Sequence, residues 1–145
     1  AEHGGAIGCD AWGTLELHVD QTGLYDNTGT DSGGAMYLSA DSGLELSMDG
    51  STVEDNTSQE AAAIYAISSG GTTKVELSDG WIWMNTASIS SSAAVVSKGS
   101  LSSSDMDWGA WGTFDNNPAD LIFNGTDQGQ IQSGATFDCT SSGCN

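Results

Sequence analysis

Leu24-Tyr25-Asp26-Asn27-Thr28 returns as Val53-Glu54-Asp55-Asn56-Thr57 and again as Ile82-Trp83-Met84-Asn85-Thr86. The asparagines lie 29 residues apart both times, as do Leu24, Val53 and Ile82. Leu17, Leu46 and Leu77 keep nearly the same beat at 29 and 31 residues, and Ile7, Met36, Ile64 and Val95 recur at 29, 28 and 31. A unit of this size cannot bury its apolar face alone and must stack on its neighbours, so the repeat specifies a solenoid.

The period inside each unit says which solenoid. Thr14-Leu15-Glu16-Leu17-His18-Val19, Gly43-Leu44-Glu45-Leu46-Ser47-Met48 and Thr73-Lys74-Val75-Glu76-Leu77-Ser78 alternate apolar and polar residues with period two, the pattern of half-buried strands. Gly23-Leu24-Tyr25, Thr52-Val53-Glu54 and Trp81-Ile82-Trp83 give a second strand. Gly5-Ala6-Ile7, Gly34-Ala35-Met36, Ala62-Ala63-Ile64 and Ala93-Ala94-Val95-Val96 give a third. No segment carries a helical period. Three short strands and three turns per unit describe one coil of a parallel β-helix. Successive coils then sit about 4.8 Å apart and equivalent residues form ladders. Leu, Ile and Val ladders line the interior. Asn27, Asn56 and Asn85 form a structural ladder at a turn, where amides bond the backbone and one another and where asparagine tolerates left-handed φ.

The fold expected is therefore all-β, a short right-handed parallel β-helix of about five coils. Residues 1–104 form the coils, and residues 105–145 form the last coil and a C-terminal cap. Cys139 and Cys144 bracket a short Ser/Gly loop that a disulfide can staple, which places the chain outside the cytoplasm. Cys9 is left over, as a small buried hydrophobe or as the partner of a cysteine elsewhere. Gly4-Gly5-Ala6-Ile7 already belongs to a repeat, so preceding coils or another molecule are expected to cover that end.

The charge is lopsided: 20 acidic residues stand against two lysines and no arginine, a formal net charge of −18. Such a surface repels phosphate backbones and anionic lipid, which sets aside nucleic acid. The chain has no apolar run of membrane-spanning length, so no direct membrane insertion is expected. Spread over outward positions and turns, the acids read as a solvated face suited to solubility or to salty water.

The Gly-Gly-Ala-Ile and Asn-Thr units of residues 4–100 resemble the repeats of polymorphic-outer-membrane-protein right-handed β-helices. Residues 105–145, with Asp107-Trp108-Gly109, Asp115-Asn116-Asn117-Pro118-Ala119-Asp120 and the closing Phe137-Asp138-Cys139 to Cys144, resemble the ends of secreted or surface-anchored parallel β-helix proteins of delta-proteobacteria. The resemblance implies a cell-surface location; it implies no reaction.

Polysaccharide lyases and hydrolases share the β-helix fold, so catalysis needs weighing. A lyase wants clustered carboxylates for calcium with a basic residue beside them, and the two lysines, Lys74 and Lys98, lie on separate coils without an evident acid cluster. His18 reads as a solvated surface residue. The densest acidic group is Asp105, Asp107, Asp115 and Asp120, the candidate calcium ligands; no other cofactor is expected, and these residues also suit ordinary turns. Aromatics are the better sign of binding. Trp81 and Trp83 share one strand face, away from Ile82, and Tyr25 occupies the Trp83 position two coils earlier, so Tyr25, Glu54 and Trp83 form an outward column. Tyr25, Trp81 and Trp83 are the candidate ligand-binding residues, equipped for sugar rings or protein contact.

The function expected is a non-enzymatic secreted or surface-displayed structural or adhesive module. Its partners would be itself, stacked end to end into a fibre, other surface proteins, or glycans. The alternative is a carbohydrate-active domain that binds or cleaves a polysaccharide with the help of calcium.

Overall fold

Period-two alternation interrupted by tight corners folds each unit into three faces, and the faces of successive units pair into parallel sheets. The computed structural model describes residues 1–89 throughout. Beyond them it describes the strands Val95–Gly99, Ser104–Trp108, Gly112–Phe114, Leu121–Asn124, Cys139–Thr140 and Gly143–Cys144, together with Asn116.

The first sheet stacks Ile7–Ala11, Met36–Ala40, Ile64–Ser68, Val95–Gly99 and Leu121–Asn124 in parallel order. The second stacks the longer strands Thr14–Asp20, Gly43–Asp49, Thr73–Ser78 and Ser104–Trp108. The third stacks the three-residue strands Gly23–Tyr25, Thr52–Glu54, Trp81–Trp83 and Gly112–Phe114. Each sheet takes one strand from each coil in turn, and no helix occurs among the described residues. The chain is all-β and solenoid-like.

Like falls on like along the inner columns. Leu24 pairs with Val53 and Val53 with Ile82, while Ile7, Met36, Ile64 and Val95 follow one another in the first sheet. Met36, Leu38, Leu46, Met48, Val53, Ile64, Val75, Leu77, Ile82 and Val95 are fully buried between the sheets. In the first coil, Ile7, Cys9, Leu15 and Leu17 pack against this core but stay partly exposed, and Cys9 is a free thiol.

The corners correct the expected strand positions. Gly-Gly-Ala-Ile is a corner leading into a strand, because Gly4 and Gly33 take left-handed φ of 59° and 66°, which no strand can run through. The strand begins at Ile7, Met36 or Ile64 and continues for five residues. At Gly33 a Cβ would strike the Met36 carbonyl oxygen, yet the equivalent corner of the third coil holds Ala61 at φ 51°. A further short strand pair, Thr57–Ser58 with Thr86–Ala87, follows the asparagines. The asparagines are also not the left-handed residues. That conformation falls one residue earlier, at Asp26, Asp55 and Met84, with φ between 53° and 55°.

This geometry turns the asparagine side chains inward, where Asn56 and Asn85 are completely buried. Each Oδ1 accepts from the backbone N–H and the Nδ2 of the asparagine one coil earlier, at 2.9 Å and 2.9 Å between Asn27 and Asn56 and at 3.0 Å and 2.9 Å between Asn56 and Asn85. Each Nδ2 also donates to the carbonyl two residues back, such as Glu54, and to one in the previous coil, such as Leu24. Every polar atom of these buried amides is satisfied, which is the condition for keeping them there. Asn116 adds a further rung, its Oδ1 3.0 Å from Asn85 Nδ2. The strand Ser104–Trp108 likewise continues the second sheet in register with Thr73–Leu77.

At the C-terminal end, Cys139–Thr140 pairs antiparallel with Gly143–Cys144, and the register sets Cys139 opposite Cys144. Their side chains lie outside the described residues, and so does any disulfide between them.

Candidate functional site

In a three-residue strand only the middle residue faces the core. Leu24, Val53 and Ile82 are buried, so the residues on either side must point outward. Two outward columns result on the third sheet. One runs Gly23, Thr52, Trp81; the other runs Tyr25, Glu54, Trp83.

Together they form a groove of about 370 Å³ lined by Tyr25, Thr52, Glu54, Trp81 and Trp83. All three candidate binding aromatics are thereby brought to one place. Gly23 shapes it: a Cβ there would strike the Tyr25 ring, so the glycine lets that ring lie back across its own strand. Tyr25 therefore walls one side, the indoles of Trp81 and Trp83 wall the other, and Thr52 and Glu54 form the floor on the rung between. The walls stand two rungs apart, roughly 9.6 Å at ordinary strand spacing. Tyr25 and Trp81 are each about half exposed, at 52% and 51%, while Trp83 is more deeply set. The Glu54 carboxylate makes no hydrogen bond or ion pair among the described residues, and Asp26 and Asp55 stand at the adjacent corner.

Sequence reasoning missed a second aromatic column, on the first sheet. Tyr37 and Tyr65 pair directly across neighbouring rungs and stack with ring centroids 5.5 Å apart and an interplanar angle of 1°. His3 stacks on Tyr37 at 4.5 Å. Burial, foremost, pushes both phenols above their ordinary pKa. A smaller hollow of about 320 Å³ surrounds the almost fully exposed Trp12, with Asp10, Ala11, Ser39 and Asp41 around it.

The candidate calcium ligands fare differently. Asp105 and Asp107 occupy alternate positions of Ser104–Trp108, opposite Lys74 and Glu76 in register; their side chains, and all of Asp115 and Asp120, lie outside the described residues. Among the described residues no cluster of three or more His, Cys, Asp or Glu side chains is placed to hold a metal. Lys74 does have acids beside it, contrary to expectation: its Nζ lies 2.6 Å from Glu76 and 2.9 Å from Glu45, because Glu76 follows at i+2 on the same strand face and Glu45 stands one rung away. Those two hydrogen bonds, Glu76 first, hold its pKa well above the usual lysine value. His18 is exposed on the outer face and bonds Glu16 at 2.9 Å, which raises its pKa. Ser47 stands opposite His18 on the next rung, with no hydrogen bond joining the two among the described residues. No protein-family model, curated protein or solved structure matches this chain.

Proposed function

We propose that the chain is a non-enzymatic module of a secreted or cell-surface protein, a short right-handed parallel β-helix of about five coils whose contact site is the aromatic groove on its third sheet. The observation that carries this reading is the convergence of Tyr25, Trp81 and Trp83 on one groove whose backbone is fixed by inter-rung hydrogen bonds. Aromatic surface on a rigid scaffold binds at low entropic cost. The groove holds a single carboxylate, whereas glycoside hydrolysis ordinarily needs two flanking the scissile bond. The register of Cys139 opposite Cys144 supports a disulfide-stapled cap and an oxidising compartment.

Protein-coated beads presented to immobilised neutral, acidic and cationic ligands should be retained by one class above the others. Trp81→Ala and, separately, Tyr25→Ala should abolish that retention with the melting temperature nearly unchanged, since both side chains are half exposed. Retention unaffected by both variants, or absent on every class, would overturn the assignment.

A further inference from the structure

We infer that the groove binds a quaternary ammonium group carried on a small, choline-type ligand; this rests on the groove's being the contact site. Three features of the groove point to that chemistry together. Aromatic side chains line it on two rungs, Tyr25 on one and Trp81 with Trp83 two rungs away, and at roughly 9.6 Å between those rungs a cation on the rung between comes within the ~6 Å over which cation–π attraction acts. Its floor carries the Glu54 carboxylate, which has no cationic partner among the described residues, whereas Lys74 is held on another sheet by Glu45 and Glu76. The surrounding field is strongly negative, at a net charge of −18, which concentrates cations and repels uronates and phosphates.

The same inventory disfavours the alternatives. A sugar ring needs several acceptors as well as donors placed around its hydroxyls, and beside the Tyr25 hydroxyl and the indole N–H groups of the walls the floor adds only the Thr52 hydroxyl and one carboxylate. Calcium needs six to eight oxygens, which these lining residues cannot supply. A tetraalkylated ammonium needs no hydrogen-bond acceptors, only aromatic faces and nearby negative charge. The hollow at Trp12 has acids but one aromatic wall, so it serves as an internal control.

The indole N–H signals of the ¹⁵N-labelled protein, assigned by single Trp→Phe variants, are followed during titration with choline chloride and with its uncharged carbon isostere, 3,3-dimethylbutan-1-ol. Choline should shift the Trp81 and Trp83 signals saturably and leave Trp12 in place, at least tenfold more tightly than the isostere. Glu54→Gln should weaken binding about three- to tenfold, and Tyr25→Ala by tenfold or more, each in a protein that melts as the wild type does. Equal affinity for the isostere, or equal movement of Trp12, would overturn the proposal. Saturable binding of a neutral oligosaccharide in the absence of choline binding would overturn the ammonium assignment and leave the contact site standing; Trp81 and Trp83 signals indifferent to every ligand would remove both.

Discussion

Glu54 and Asn56 are two residues apart on the same coil, and the columns they belong to follow opposite rules. The asparagine column repeats one side chain rung after rung, is buried, and satisfies its polar atoms from within. The neighbouring column reads Tyr25, Glu54, Trp83, changes at every rung, and faces solvent. The stacked Tyr37 and Tyr65 behave like the asparagines although they lie outside: equal rings on adjacent rungs find each other at 5.5 Å and leave no space between them. In a ladder, sameness closes a column on itself. A groove opens where the column alternates, because two rings with an acid between them are held too far apart to stack.

The comparison breaks most severely at its buried side. Asn56→Ala should cost about 3 to 4 kcal/mol in denaturant unfolding, because it leaves the Asn27 N–H without its acceptor in the interior and removes the Asn56 Nδ2 bonds to Asn85 Oδ1 and to the Leu24 and Glu54 carbonyls. Glu54→Tyr sharpens the contrast by making the varied column uniform. The new ring should stack between Tyr25 and Trp83, raise stability by about 0.5–1 kcal/mol, and fill the groove so that ligand binding is lost. A variant that still bound would show that the rung between the walls is not the site. Ala61→Gly should stabilise by about 0.5 kcal/mol, since relief of a left-handed L-residue outweighs the added chain entropy and the lost methyl, and a lower melting temperature would contradict it.

The smallest effect concerns pH. The phenols of the Tyr37–Tyr65 stack have folded pKa values raised above 10, so their contribution to stability is fully present below pH 10 and is lost as pH rises through the folded values. Thermal melts should therefore weaken on the alkaline side of pH 10, and Tyr65→Phe should flatten part of that loss. Melts of the two proteins that fall in parallel would place the alkaline sensitivity elsewhere.

The repeat was legible because buried columns demand like residues, and Leu24, Val53 and Ile82 advertise a 29-residue period. What broke that period was harder to see. Tyr37 and Tyr65 lie 28 apart, since the third coil loses one residue between Thr57 and Ala61, and the strand expected from the sequence ends at Met36 and Ile64, one residue short of the stack. Asn116 stands 31 residues after Asn85 in a segment rich in turn residues, so its turn chemistry concealed a rung. The strand face shared by Trp81 and Trp83, and the column joining Tyr25 to Trp83, followed from alternation. The groove did not, because it depends on the Tyr25 ring lying over Gly23, a tertiary placement that no spacing encodes.

The 29-residue offset between paired asparagines also fixes what happens under tension. Each coil is fastened only to the coils next to it, so a pull along the stacking axis peels them off in sequence instead of loading them all at once. One coil occupies a single rung of about 4.8 Å but holds enough chain to reach about 100 Å when drawn straight. Force-extension traces should climb in steps of that length, and the groove, which spans the first three coils, should survive only while those coils stay wound.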